Sequence, residues 1–153
     1  MGIFGSIFES NKESNNREKF NWIPLVESGE LKEIVEISNE KLVVIFKHST
    51  RCGISSGVLS RFEKATDSNL ESVAFYFLDL IKYRNISNQI AKEFNVYHQS
   101  PQAIFLKNGV VVQHESHYDI ISNLSLKYLS FFFTNLRYYF NYLSFFYFFT
   151  PYF

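Results

Sequence analysis

The order of strand-like and helix-like segments in this 153-residue chain predicts an α/β fold, a central mixed β-sheet with helices on both faces. Three observations carry that expectation. The segments of residues 22–128 alternate as β-α-β-α-β-α-β-β-α. The pentamer Leu42-Val43-Val44-Ile45-Phe46 is apolar on both faces and rich in β-branched residues, the pattern of a strand in the middle of a covered sheet. Asn108-Gly109 stands between two apolar runs and supplies the left-handed backbone that a tight hairpin turn requires. Two crossovers then build parallel strands, and the hairpin adds antiparallel ones.

Each element has its own warrant. Residues 1–21 form an N-terminal segment: Ile3, Phe4, Ile7 and Phe8 fall at helical spacing, and Glu9–Asn21 is a polar run without periodic apolar positions, read as a solvated linker. Trp22-Ile23-Pro24-Leu25 is a short extended segment that Pro24 confines to a strand start or a sheet edge. Ser28 is a candidate cap for a helix bearing Leu31, Ile34, Val35 and Ser38, with Asn39 as its stop. After the Leu42–Phe46 strand, Val58, Leu59, Phe62 and Ala65 mark a second helix, and Val73–Leu80 a second hydrophobic strand ending in Asp79. Ile86, Ile90, Ala91 and Phe94 mark a third helix. Ala103–Lys107 and Val110–Val112 flank the hairpin turn, and Asp119 is placed to cap a last helix with Ile121, Leu124 and Tyr128.

Composition narrows the function. With 15 Lys plus Arg against 15 Asp plus Glu the net charge is zero, which argues against binding nucleic acid through bulk charge. The single cysteine excludes an intrachain disulfide scaffold. The start MGIFGSIFES carries neither a cationic region nor an apolar stretch long enough for secretion, so the cytoplasm is the expected compartment. The aromatic fraction, 19%, is concentrated at one end: residues 128–153 hold 15 aromatic rings in 26 positions, and Arg137 is their only charge.

Most of the chemical information lies in Cys52. It stands where the central strand turns into a helix, within His48-Ser49-Thr50-Arg51-Cys52-Gly53-Ile54-Ser55. The first turn of a helix offers unpaired N–H groups and the positive end of the helix dipole, and both favour thiolate over thiol. Thiols so placed have pKa values lowered from about 8.5 toward roughly 3.5–7.5, and the thiolate is the nucleophile of disulfide exchange. Lys47, His48 and Arg51 add positive potential if they turn toward the sulfur, and Ser55, one turn along, is a candidate hydrogen-bond donor to it.

These residues resemble a known family. The strand Leu42–Lys47, the turn Cys52-Gly53-Ile54-Ser55, Ser100-Pro101 and Asn108-Gly109 together look like a thioredoxin-like fold. Within it, Phe46–Ser55, His98-Gln99-Ser100-Pro101-Gln102, Lys107-Asn108-Gly109 and Ser116-His117 are similar to the monothiol bacilliredoxins of the bacillithiol system, the YtxJ-like proteins. The resemblance covers about residues 20–127. It implies a cytoplasmic monothiol oxidoreductase in which Cys52 attacks S-bacillithiolated proteins, with bacillithiol as the small-thiol co-substrate. Thr50, Arg51, Gly53, Ser55, His98, Ser100 and Pro101 are then the candidates for steadying the thiolate or binding substrate. It also implies a cis Pro101 across from the cysteine, where the preceding backbone pairs with substrate as an added strand. Gly53 stands where related sequences often carry proline. That no second cysteine exists fits monothiol chemistry independently.

Other readings are weaker. His48, His98, His114 and His117 lack compact ligand spacing, so no metal is expected, although His48 and His98 could both approach Cys52 in such a fold. A thioredoxin-like binding module without catalysis is the first alternative, and a membrane-associated redox sensor the second. The Phe/Tyr-rich tail, residues 129–153, is apolar on every side, but Arg137, Asn135 and Asn141 interrupt it, which disfavours a membrane anchor. Its residues are mostly those with codons of A and T alone, as a frameshift or read-through in an AT-rich gene produces; a partner-binding surface is the remaining reading.

Overall fold

A computed structural model describes residues 19–124 of the chain. The expectations for residues 1–18 and for the aromatic tail lie outside the described residues. The expected order is found in full: β1 (Ile23–Pro24), α1 (Glu30–Glu40), β2 (Leu42–His48), α2 (Gly53–Ala65), β3 (Val73–Asp79), α3 (Arg84–Glu93), β4 (Gln102–Lys107), β5 (Val110–Ser116) and α4 (Asp119–Ser122). The five strands form one mixed sheet in the order β1-β3-β2-β4-β5. β1, β3 and β2 run parallel, while β4 pairs antiparallel with both β2 and β5.

The central strand behaves as its composition demands. From Val43 to His48 every residue of β2 is buried, because β2 has strands on both edges and apolar layers on both faces. Alternation along the strand sends Val43 and Ile45 into one layer, with Leu31 and Ile34 of α1 and Ile86 and Ile90 of α3. Val44 and Phe46 enter the other, with Val58 and Phe62 of α2 and Ile120 of α4. Pro24 sits on the β1 edge, where a missing N–H costs no ladder bond.

Three local expectations are corrected. Ser28 does not cap α1, whose N-cap is Gly29 without a side-chain cap bond. Instead the Glu30 carboxylate reaches back to accept the N–H groups of Val26 and Glu27, at 2.8 and 2.6 Å, so an acid in the first turn satisfies the donors leading into the helix. Asp119 likewise lies inside the first turn of α4, and Tyr118 is the N-cap. Phe20, expected within the polar linker, instead packs against the core: its ring centroid is 4.5 Å from that of Trp22, and it meets Phe62 and Phe75. A periodicity argument could not see this lone aromatic at the end of a polar run.

The hairpin turn is held from outside the sheet. Asn108 and Gly109 both take positive φ, 53° and 75°. The Asn108 N–H donates to Ser38 O at 2.7 Å and the Gly109 N–H to Ser38 Oγ at 2.8 Å, so the turn is pinned to the end of α1.

Phe62 is fully buried and stacks with Trp22 at 5.8 Å between centroids and 23° between planes. Phe62→Ala is expected to cost about 3–5 kcal/mol in chemical denaturation followed by Trp22 fluorescence. A loss under about 1 kcal/mol would show that this layer repacks.

Candidate active site

One end of the sheet gathers the unusual residues. The register places Lys47 opposite Gln102 and His48 beside Asp79, and Gln102 opposite Ser116. The loops after β2, β3 and β5 therefore meet the loop entering β4 at the same edge. Cys52 follows β2, and Ser100-Pro101, a cis peptide, immediately precedes β4.

Cys52 is the N-cap of α2, in extended conformation at φ −120° and ψ 116°. Its N–H donates to Ser49 O at 3.2 Å, and its carbonyl accepts the first helical bond from the Ser56 N–H at 3.1 Å. No side chain caps the helix and no acid lies in its first turn. The half-buried residue with the free thiol thus heads a 13-residue helix, at its positive end, where the first amides have no intrahelical acceptor. Thr50, Arg51 and Gly53 are exposed around it, as Ile54 is at 51%. Gly53 has no neighbour within 4 Å of where a Cβ would stand, so that position is sterically open.

Ser55 is fully buried and does something other than bond the sulfur. Its Oγ accepts the Ser49 N–H at 3.0 Å and lies 2.8 Å from His48 Nδ1. It ties the end of β2 to the start of α2, which fixes the turn carrying Cys52. His48 reaches Ser55 and packs on the Phe77 ring at 5.5 Å, without a hydrogen bond to Cys52. Burial lowers the His48 pKa from its ordinary value, against the opposing pull of Asp79, Glu63 and the Ser55 hydrogen bond. Asp79 caps the following turn, its Oδ1 accepting the N–H groups of Ile81 and Lys82.

His98 is likewise drawn away from the sulfur. Its Nδ1 lies 3.0 Å from Lys47 Nζ and 3.2 Å from Ser87 Oγ. Lys47 is fully buried, and its Nζ also donates to Gln102 Oε1 at 2.9 Å. The sequence suggests Lys47 as a source of potential near Cys52. Its side chain instead follows Val43 and Ile45 toward the α1 and α3 layer, a parity legible in the strand pattern. Gln102, buried beside Pro101, was missed because a lone glutamine at a strand start carries no chemical signal. Ser100 Oγ is buried without a hydrogen-bond partner among the described residues, and Pro101 is buried.

No group of three or more His, Cys, Asp or Glu among the described residues is placed to hold a metal ion. No described helix is long and apolar enough to cross a membrane.

The βαβ unit, the antiparallel β4–β5 pair, the cis proline and one cysteine heading a helix define a thioredoxin-fold thiol–disulfide oxidoreductase with a single thiol. Comparison with known proteins agrees. The profile of the family described as "Monothiol bacilliredoxin BrxC" matches residues 23–124, and the chain belongs to that family. A solved protein carrying a provisional description as an oxidoreductase with a thioredoxin fold is similar at 34% identity and a TM-score of 0.58, over 67% of this chain and 89% of that one. Schistosoma mansoni thioredoxin is similar at 25% identity and a TM-score of 0.54, over 69% and 91% of the two chains. Malassezia sympodialis thioredoxin shares the fold at 24% identity and a TM-score of 0.56, over 70% and 88%.

Two outcomes follow from the buried polar groups. Ser55→Ala leaves the Ser49 N–H and His48 Nδ1 without their partner, and is expected to lower stability by about 1–3 kcal/mol in urea denaturation. Burial, with the nearby Arg84 charge, pulls the Lys47 pKa from 10.5 to about 8. Between those values the unfolded chain holds a proton that the native chain lacks, so Lys47 makes stability rise with pH from about 8 toward 10.5 and penalises it fully below 8. Stability curves at pH 7 and pH 9.5 should show that rise in the native sequence and a flatter profile in Lys47→Met.

Proposed function

We propose that the chain removes bacillithiol from protein mixed disulfides in the cytoplasm, with Cys52 as the nucleophile. The observation that carries this reading is one half-buried thiol at an uncapped helix start, with Ser55 a turn away and no second cysteine in the chain. The Cys52 thiolate attacks the bacillithiol sulfur of a protein–S–S–bacillithiol adduct. A disulfide forms between Cys52 and bacillithiol, and the protein thiolate leaves and takes up a proton. A second bacillithiol thiolate then attacks the bacillithiol sulfur of that adduct, bacillithiol disulfide forms, and Cys52 leaves as thiolate.

The surrounding groups have parts in this scheme. Amides of the first α2 turn steady the thiolate, and exposed Thr50, Arg51 and Gly53 frame the approach to it. Ser55 and His48 hold the turn rigid. The backbone at Ser100, ahead of Pro101, pairs with the substrate chain, and His98 lies in the same loop.

Incubation with a bacillithiolated protein tests the reading. Mass spectrometry should find the adduct on Cys52 and the target thiol freed, with no transfer by Cys52→Ser. Equal transfer by Cys52→Ser, or none by the native chain, sinks it. Ser55→Cys gives a further check: the introduced thiol can attack the Cys52 adduct, forming an intrachain disulfide with Cys52 and releasing bacillithiol, so the intermediate adduct should cease to accumulate.

A further inference from the structure

Lys47 has no part in that exchange scheme, yet it is the least expected group in the interior. It is fully buried, and among the described residues its Nζ meets only neutral acceptors, His98 Nδ1 and Gln102 Oε1. A well-packed aliphatic chain in place of a buried ion is often neutral or stabilising, so stability does not account for a lysine here.

Both acceptors lead into the loop ahead of β4. Gln102 Nε2 donates to Tyr97 O at 2.8 Å, and the Gln99 N–H reaches Gln102 Oε1 at 3.4 Å. The side chain of Gln99 lies 3.2 Å from His117 Nε2, tying the loop to the end of β5. Tyr97, His98, Gln99 and Gln102 are thus all connected to one ammonium group. The same contact places a proton. An ammonium has three donors and no lone pair, so His98 Nδ1 must offer its lone pair to Lys47, and the proton of the neutral ring sits on Nε2. Burial, with the charges of Lys47 and Arg84, lowers the pKa of that ring. Nε2 has no partner among the described residues, and His98 is only partly buried. The residue lines an open cleft of about 650 Å³ with Asn88, Lys92, Asn95 and Tyr97, a lining without an acid.

We propose that Lys47 is a positioning residue that clasps the Tyr97–Gln102 loop and presents His98 as a neutral Nε2–H donor to an acceptor group of the incoming mixed disulfide. The substrate half of this proposal rests on the exchange reading above; the clasp itself does not. Long-range ¹H–¹⁵N spectra of the histidine rings at pH 7 test the clasp in the native chain. His98 should show the proton on Nε2, and Lys47→Met, which leaves only the Ser87 hydroxyl at Nδ1, should move the Nδ1 resonance. A proton on Nδ1, an imidazolium, or an Nδ1 resonance unmoved by a folded Lys47→Met overturns the clasp.

Transfer kinetics with a bacillithiolated peptide test the substrate half. Loss of one hydrogen bond should raise KM about tenfold in Lys47→Met and in His98→Ala, with kcat within about twofold, and the double variant should be no worse than His98→Ala. An unchanged KM in His98→Ala, or fully additive losses, overturns it. If Lys47→Met fails to fold, the native tautomer and His98→Ala still decide. No transfer by the native chain defeats the exchange reading and the substrate half together, while the ring proton decides the clasp alone.

Discussion

The site depends on the antiparallel pairing of β2 with β4. β2 is the only described strand with a parallel neighbour on one side and an antiparallel one on the other, and Lys47 is set opposite Gln102 at its end. That single register brings the turn carrying Cys52 and the loop carrying Pro101 to one edge of the sheet. A slip of one residue would reverse the faces of every β4 side chain, taking Ile104 and Leu106 out of one apolar layer and Ala103 and Phe105 out of the other. Register is therefore enforced by burial on both faces, and the geometry at the reactive end is a consequence of the core.

Rigidity at that end comes from two polar connections of different kinds. On the α2 side, Ser55 and His48 join strand to helix and hold the cysteine turn. On the α3 side, Lys47 with His98 and Gln102 holds the loop that enters β4. The two sets lie on opposite faces because consecutive strand residues, Lys47 and His48, point to opposite sides of the sheet. The thiol belongs to neither set, and no side-chain hydrogen bond caps its helix. Nucleophile and scaffold are in this way separated: the side-chain hydrogen bonds fix positions, and Cys52 heads a helix whose first amides have no side-chain cap.

Much of this was legible in the chain. Leu42–Phe46 reads as a doubly covered strand because nothing polar interrupts it, and Asn108-Gly109 reads as a turn because both residues tolerate positive φ, as they show. Cys52 at the strand-to-helix turn followed from the two periodicities on either side. The partners of the polar side chains were not legible. Ser55 and His98 both approach groups other than the sulfur, since a side chain's partner depends on register and on which face it occupies, and neighbours in sequence do not reveal that. Lys47 reads as a source of positive potential for the sulfur because lysine is almost never fully buried. Its strand parity with Val43 and Ile45 was the one signal against that reading.

The central claim is that one thiol, acting without an internal partner, carries the exchange. The stoichiometry of a reaction run without any free small thiol measures this directly. With excess bacillithiolated protein, the account predicts that each chain frees one target thiol, ends as the Cys52 adduct and stops, and that added bacillithiol restarts it. Continued release of target thiols without a small thiol, or release without an adduct on Cys52, would contradict it.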